Sequence, residues 1–240
     1  MGPTPVHYIP IVTTLVAAAF AVVVLRRYRD RGGLHLLWWG VGMITYAAGT
    51  FTEAFTTLFG WEEPVFRAWY ITGALLGGAP LAQGTVYLLL PRRTGHRLAL
   101  VLATLILVAS VAVLLSPIDP AQVEGHRLTG RVLGWQWVRA FSPFINLYAA
   151  VFLIGGALLS AVRYWRRGDS GPRAVGNGLI ALGALLPGIG GSFTRFGHVE
   201  VLYVTEFVGL LLIFAGYRLN ISAWVPSVHR RAGFQSSPVG

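Results

Sequence analysis

The sequence predicts an all-α integral membrane protein built as a bundle of seven transmembrane helices. Hydrophobic residues make up 55% of the 240 residues and charged residues only 12%, about half the charged share of a soluble globular domain. Seven apolar segments follow one another, and each approaches the roughly 20 residues that a helix needs to cross a bilayer. None sustains the period-two alternation of a membrane-spanning strand, which disfavours a β-barrel.

The first three predicted spans are delimited by glycine, proline and arginine. The first, about residues 8–25, is followed by the basic stretch RRYRDRGG and has no cleavage site before it, so we expect a retained helix rather than a signal peptide. The second, about 34–59, is rich in aromatic residues, and the third, about 66–90, ends at PRRTGHR. Pro80 lies among glycines within the third span and predicts a kinked or broken helix.

The last four predicted spans are an aliphatic segment, an aromatic-rich segment and two glycine-containing segments. They cover, in order, about residues 98–115, 141–165, 174–193 and 199–219. Pro187 lies among glycines in the sixth span, as Pro80 does in the third, and predicts a second irregular helix inside the bundle. The longest connection, about residues 116–143, is expected to be an interfacial connector, and the alternative is a lid over a pocket.

The placement of the arginines predicts the orientation of the bundle. All 19 basic residues are arginine, and most of them lie in the C-terminal tail and in the loops after the first, third and fifth spans. Cytoplasmic loops carry the excess of basic residues, so we expect an external N-terminus, a membrane domain over residues 1–225 and a cytoplasmic tail over 226–240. The net charge of +10 indicates contact with the anionic lipid of a bacterial inner membrane rather than with nucleic acid.

The composition also excludes several kinds of chemistry. The absence of cysteine excludes thiolate metal sites and thiol nucleophiles. The absence of lysine excludes a retinal held as a Schiff base. No two histidines lie four residues apart on one predicted helix, and no known metal-binding or catalytic motif is present. We therefore expect no metal, no cofactor and no catalytic residues.

Two glutamates, Glu53 and Glu206, lie inside predicted spans at a similar depth below the external surface. Ionisable groups inside a bilayer face the bundle interior and find partners there. We therefore predict an outward-facing polar pocket that serves as a ligand-binding or proton site. Its expected members are Glu206, Glu53, Arg67, Tyr203, Tyr70, Arg195 and His198. The alternatives are a buried Glu–Arg pair that only fixes helix packing, and a protonated Glu206 bonded to a neighbour.

The stretch LLWWGVGMITYAAGTFTEAFTTLFGWEEPVFRAWYITGALLGGAPLAQGTVYLLL, residues 36–90, resembles part of a known family. It looks like the second and third helices of the seven-helix membrane sensor region of bacterial histidine kinases. The matching positions are Glu53, Arg67, Trp69, Tyr70 and Pro80. The resemblance implies a ligand-sensing membrane module, but no kinase domain follows the seventh span in this sequence.

The leading functional hypothesis is the binding of a small or lipophilic ligand in the outer half of the bundle, with a protein partner receiving the signal. A second hypothesis is a transporter or channel in which Glu206 and Glu53 are ion or proton sites and the helices of Pro80 and Pro187 move. A third is an accessory subunit of a larger membrane complex. An enzyme has the least support.

Overall fold

The computed structural model describes residues 5–125, 127–168, 171–194 and 196–222, and over these ranges the chain is helical and forms no β-strand. Five of these helices are long and apolar enough to cross a membrane. The predicted all-α class and the presence of several candidate membrane spans are therefore confirmed. The predicted tail, 226–240, and Arg195 lie outside the described residues.

Within these ranges, seven helical segments follow one another. The first four consist of a 3-10 turn (Pro5–Tyr8) with α1 (Ile9–Arg31), α2 (Leu34–Phe59), α3 (Glu63–Trp69) with α4 (Ala79–Leu89), and α5 (Arg92–Leu115). The last three consist of α6 (Phe141–Ala149) with α7 (Gly156–Arg167), α8 (Gly171–Thr194) and α9 (Val199–Ser222). The π-helical turns Tyr70–Leu75 and Ala150–Gly155 separate the two helices of the third and fifth segments.

The third segment is broken just before Pro80, where the prediction has one span over 66–90. Proline has no N–H to offer the carbonyl of Leu76, one turn earlier, so the helical ladder is interrupted there. Polar side chains of other helices approach the freed carbonyls: the Thr45 hydroxyl lies 3.5 Å from the Leu76 oxygen, and the Ser142 hydroxyl donates to the Ala74 oxygen at 3.0 Å. These contacts stabilise the break.

Helix α8 runs without interruption through Pro187 and packs against α9 by glycine-to-glycine contact. A Cβ atom placed on Gly183 would lie 2.5 Å from the Gly209 carbonyl oxygen, and one on Gly209 would lie 2.5 Å from the Gly183 oxygen. Gly176 and Gly216 meet in the same way one heptad away. Pro187 leaves the Gly183 carbonyl without its intrahelical hydrogen-bond partner. Because the glycines have no side chains, the backbone of α9 can approach this oxygen closely.

Residues 116–125 and 127–140, which we call the cap, fold onto one end of the bundle rather than forming a simple connector. Its side chains Leu133 and Val138 are fully buried, in a cluster that includes Phe66. Arg67 holds the start of the cap, because its guanidinium donates to the carbonyls of Val113 and Ser116 at the end of α5. The cap thus fixes α5 against the third helical segment at this end of the bundle, which we call the cap end.

Candidate functional site

A close approach of two glycines brings Glu53 and Trp69 together. Helix α2 runs antiparallel to the third segment, and a Cβ atom on Gly49 would lie 3.2 Å from the Cα of Gly73. Glu53 lies one turn after Gly49, and Trp69 lies one turn before Gly73, so the two side chains face each other. The Trp69 indole N–H donates to Oε1 of Glu53 at 3.0 Å.

The second carboxyl group of the site belongs to Glu206, on α9. Its carboxyl group interacts with the Glu53 carboxyl group, and Tyr46 of α2 fixes α9 at this level by donating its hydroxyl to the Glu206 backbone carbonyl at 3.0 Å. We call Glu53 and Glu206 the carboxyl pair.

The carboxyl pair lies within the bundle and near its cap end. Glu53 is six residues from the end of α2 and Glu206 is seven from the start of α9, so each lies about 10 Å from that end. Glu53 is only 4% exposed, whereas Glu206 is partly exposed. The pair is therefore closed at Glu53 and partly open at Glu206.

Two oxygen atoms near the pair have no hydrogen-bond partner among the described residues. They are Oε2 of Glu53 and the hydroxyl of Thr57, which lie one turn apart on the same face of α2. Both residues are 4% exposed. Buried polar atoms are normally satisfied by protein, water or ligand, so these two oxygens are exceptions to the usual pattern.

Arg67 and Tyr70 are not neighbours of Glu206, contrary to the pocket that the sequence predicts. The Arg67 guanidinium donates to Glu63 at 2.7 Å and to the carbonyls at the end of α5. Tyr70 packs in the core beneath the cap, against Phe66 and beside Gly130. Both side chains therefore stabilise the cap, and the expected Glu–Arg pair does not form with Arg67.

Of the remaining predicted site residues that the structure describes, Tyr203 lies near the pair and His198 does not. Tyr203 lies one turn before Glu206, is 3% exposed and interacts electrostatically with both carboxyl groups. His198 is exposed at the start of α9. Arg195 lies outside the described residues. Pro80 and Pro187 shape the helices described above.

Three residues near the pair were not placed in the pocket by sequence reasoning. Trp69 matches a position of the histidine-kinase sensor regions, but its role as the hydrogen-bond donor to Glu53 was not predicted. Thr57 follows Glu53 by four residues, and this helical spacing predicts that the two side chains lie on the same face of α2. His7 contacts Tyr203 through its ring, with the ring centroids 6.1 Å apart. Nothing in the local sequence around His7 indicates this contact.

A second buried polar cluster links α4, α5 and α6. Gln83 is fully buried; its amide donates to the Gly95 carbonyl at 3.0 Å and accepts a hydrogen bond from the Tyr148 hydroxyl at 2.5 Å. Every polar atom named here has a partner. The cluster therefore fixes helix packing, in contrast to the carboxyl pair with its two unpartnered oxygens.

Comparison with known protein families, curated proteins and solved structures finds no match to this chain. The class of protein is therefore defined by its own fold and site. That class is a helical bundle with several candidate membrane spans and a pair of carboxyl groups, one buried and one partly exposed, near one end. Among the described residues, no group of three or more histidine, aspartate or glutamate side chains is arranged to hold a metal ion. The chemistry that the pair offers is the binding of a proton, a cation or a hydrogen-bond donor.

Proposed function

We propose that this protein is a multi-pass protein of the bacterial inner membrane with seven spans, an external N-terminus and a cytoplasmic C-terminus. Five helices have the length and apolarity of a span. The second and third segments are not among these five helices. They lie between candidate spans, and short turns connect them to their neighbours. The excess of arginine in the loops opposite the cap supports a cytoplasmic location for that end. The cap and the carboxyl pair then belong to the outer half.

Topology reporters test this arrangement. We expect a reporter fused after Gly168, in the turn between α7 and α8, to be active in the cytoplasm. A reporter inserted after Gly125, in the cap, should be active only outside. The physical reason is that loops rich in arginine are retained on the cytoplasmic side during insertion. The same compartment for both fusions, or the reverse assignment, would contradict the proposed orientation.

We further infer that the protein binds a small or lipophilic ligand at the carboxyl pair, as a sensor-like module that acts through a protein partner. The observation that carries this proposal is the pairing of Glu53 with a second carboxyl group, with Oε2 of Glu53 left unpartnered. Two like groups in a buried position stabilise packing less than apolar side chains of similar volume would. Among the described residues, no arginine forms an ion pair with either carboxyl group. A binding role explains the pair better than a packing role.

Ligand-induced thermal stabilisation tests the binding role. We expect some small lipophilic compounds with a polar donor group to raise the Tm of the purified wild-type protein. A ligand at a hundred times its Kd stabilises the folded state by about 2.7 kcal/mol. Glu206→Gln should lose this shift, and Glu62→Gln, an exposed glutamate at the cap end, should keep it. An equal shift in both variants would place the ligand elsewhere.

Transport is the second candidate function, and the break before Pro80 favours it. Discontinuous helices form the substrate sites of many secondary transporters, and the break lies on the same helical segment as Trp69. In this case, solute flux into proteoliposomes would be lost in Glu206→Gln and retained in Glu62→Gln. Thermal stabilisation without flux would assign the protein to the sensor class instead.

A further inference from the structure

A cavity of about 490 Å³ lies at the end of the bundle opposite the cap, between the turn from α1 to α2 and the turn from α4 to α5. Its lining includes Tyr28 near the end of α1, His35 at the start of α2, Tyr87 near the end of α4 and Arg92 at the start of α5. Each of these side chains carries a hydrogen-bond donor. Ligand cavities in proteins usually enclose roughly 300–1,000 Å³, so this one is large enough for a small polar group.

Contacts within the bundle hold two walls of the cavity in place. The Tyr87 ring stacks on Trp38, with the ring centroids 6.5 Å apart and an interplanar angle of 25°. The Tyr87 hydroxyl is hydrogen-bonded to Nδ1 of His96 at 2.9 Å. The His35 ring meets the Trp39 ring edge-on, with the centroids 5.5 Å apart. The cavity is therefore formed by packed side chains of α2 and α4.

The two helix ends that border the cavity are strongly basic. Four arginines lie in the last six residues of α1 and three in the first six of α5, namely Arg26, Arg27, Arg29, Arg31, Arg92, Arg93 and Arg97. The structure describes all of both stretches, and the one carboxylate in them, Asp30, lies 3.9 Å from Arg29. Arg92 forms no ion pair with any described residue. This excess of positive charge favours an anion as the ligand.

The cavity lies at the level expected for lipid headgroups. Two of the helices long enough and apolar enough to cross a membrane border it, over Pro5–Arg31 and Arg92–Leu115. Headgroups lie just beyond the ends of such helices, outside a hydrocarbon core about 30 Å thick. Leu88, next to Tyr87 in the chain, is 53% exposed and offers apolar surface for an acyl chain. Basic pockets between membrane helices bind anionic headgroups in this way.

We propose that this cavity binds the phosphate headgroup of one anionic membrane lipid, with Arg92 as the charged donor and Tyr28 and His35 as further donors. A guanidinium binds phosphate oxygens through two parallel N–H bonds. A zwitterionic lipid would bring a positive group toward the same arginines, so it should bind less tightly. This site is separate from the carboxyl pair, because the two lie at opposite ends of the bundle, and it requires only that the protein lies in a membrane.

Native mass spectrometry tests the proposal on the full chain, purified in detergent, stripped of lipid and titrated with a short-chain phosphatidylglycerol. We expect one molecule to bind the wild type more tightly than any further ones. Arg92→Gln should raise its Kd about 10- to 100-fold, the effect of losing a hydrogen bond to a charged group. Arg93→Gln is the matched control, because Arg93 is exposed and does not line the cavity. It should raise the Kd less than about fivefold, as expected for an exposed charge.

Tyr28→Phe is a second variant that keeps the ring and removes one hydroxyl from the cavity. It should raise the Kd about fivefold, the effect of one neutral hydrogen bond. Tyr8→Phe, at the cap end and 42% exposed, should leave the Kd unchanged. Arg92 is exposed at the first residue of α5, so Arg92→Gln should keep the wild-type Tm without lipid. If it does not, an equal Kd for Tyr28→Phe and Tyr8→Phe would overturn the proposal.

Three other results would also overturn it. Phosphatidylcholine that binds as tightly as phosphatidylglycerol, or an equal loss of affinity in Arg92→Gln and Arg93→Gln, would indicate general attraction to lipid. Inorganic phosphate that displaces the lipid at a similar concentration would assign the cavity to a soluble phosphate. Glu206→Gln should bind the lipid as the wild type does, so failure of the ligand proposed at the carboxyl pair is distinguishable from failure here.

Discussion

Replacing Gly183 by alanine should destabilise the protein by about 1–3 kcal/mol, the usual cost of overpacking. The new Cβ atom would lie 2.5 Å from the backbone oxygen of Gly209, and a backbone atom cannot move aside as a flexible side chain can. Helices α8 and α9 must therefore separate. Helices intrinsically prefer alanine over glycine by about 1 kcal/mol, which offsets part of the loss in stability. A net destabilisation would therefore show that the clash costs more than the helix preference contributes.

Gly188→Ala is the matched control for this prediction. Gly188 lies in the same helix, five residues further on, and a Cβ atom placed on it would have no atom of a neighbouring helix within 4 Å. The substitution has the same helix preference without the clash, and it should leave stability unchanged or raise it. Thermal unfolding in detergent measures both variants. Equal stability of the two variants would show that α8 and α9 are not in glycine contact.

Gly209→Ala extends the test to the other partner of the contact. Its Cβ atom would approach the Gly183 oxygen at 2.5 Å and Cδ of Pro187 at 3.2 Å. Because both substitutions separate the same pair of helices, their effects should not add. The double variant should cost clearly less than the sum of the two single variants.

Hydropathy predicted the class of the fold and the order of its helical segments, because a long apolar run has few stable structures other than a helix. Hydropathy predicted the helix ends less accurately where a helix continues beyond its apolar run. Helix α5 begins at Arg92, before the predicted span of 98–115, because arginine favours helices and its aliphatic stem packs on apolar surface. It also gave no sign that the cap is folded, since the buried side chains of the cap are scattered among polar residues.

The depth of the site could be predicted, but the rotation of its helices could not. Counting residues from the helix ends places Glu53 and Glu206 at one level. Which side of the third segment faces them depends on where the helices touch. Arg67 and Trp69 are two residues apart and so point about 200° apart around the helix. The Gly49–Gly73 contact turns Trp69, rather than Arg67, toward Glu53, and that contact depends on tertiary packing.

The pairing of Glu53 with Glu206 is the central feature of the proposed site, and a cysteine cross-link tests it directly. The chain contains no cysteine, so the double variant Glu53→Cys, Glu206→Cys has no competing thiol. We expect a short bifunctional thiol reagent to bridge the two positions within one chain nearly completely. The matched control is Glu53→Cys with Val204→Cys, which keeps the depth but moves the second thiol about 200° around α9, to a side chain that is 41% exposed.

Intact mass spectrometry of the purified membrane protein distinguishes one bridging reagent from two separately attached ones. The proposed site predicts a single bridging reagent in the Glu53–Glu206 variant and two separate attachments in the Glu53–Val204 variant. Two separate attachments in the Glu53–Glu206 variant, or an equally complete bridge in both, would contradict the carboxyl pair and the ligand site proposed on it.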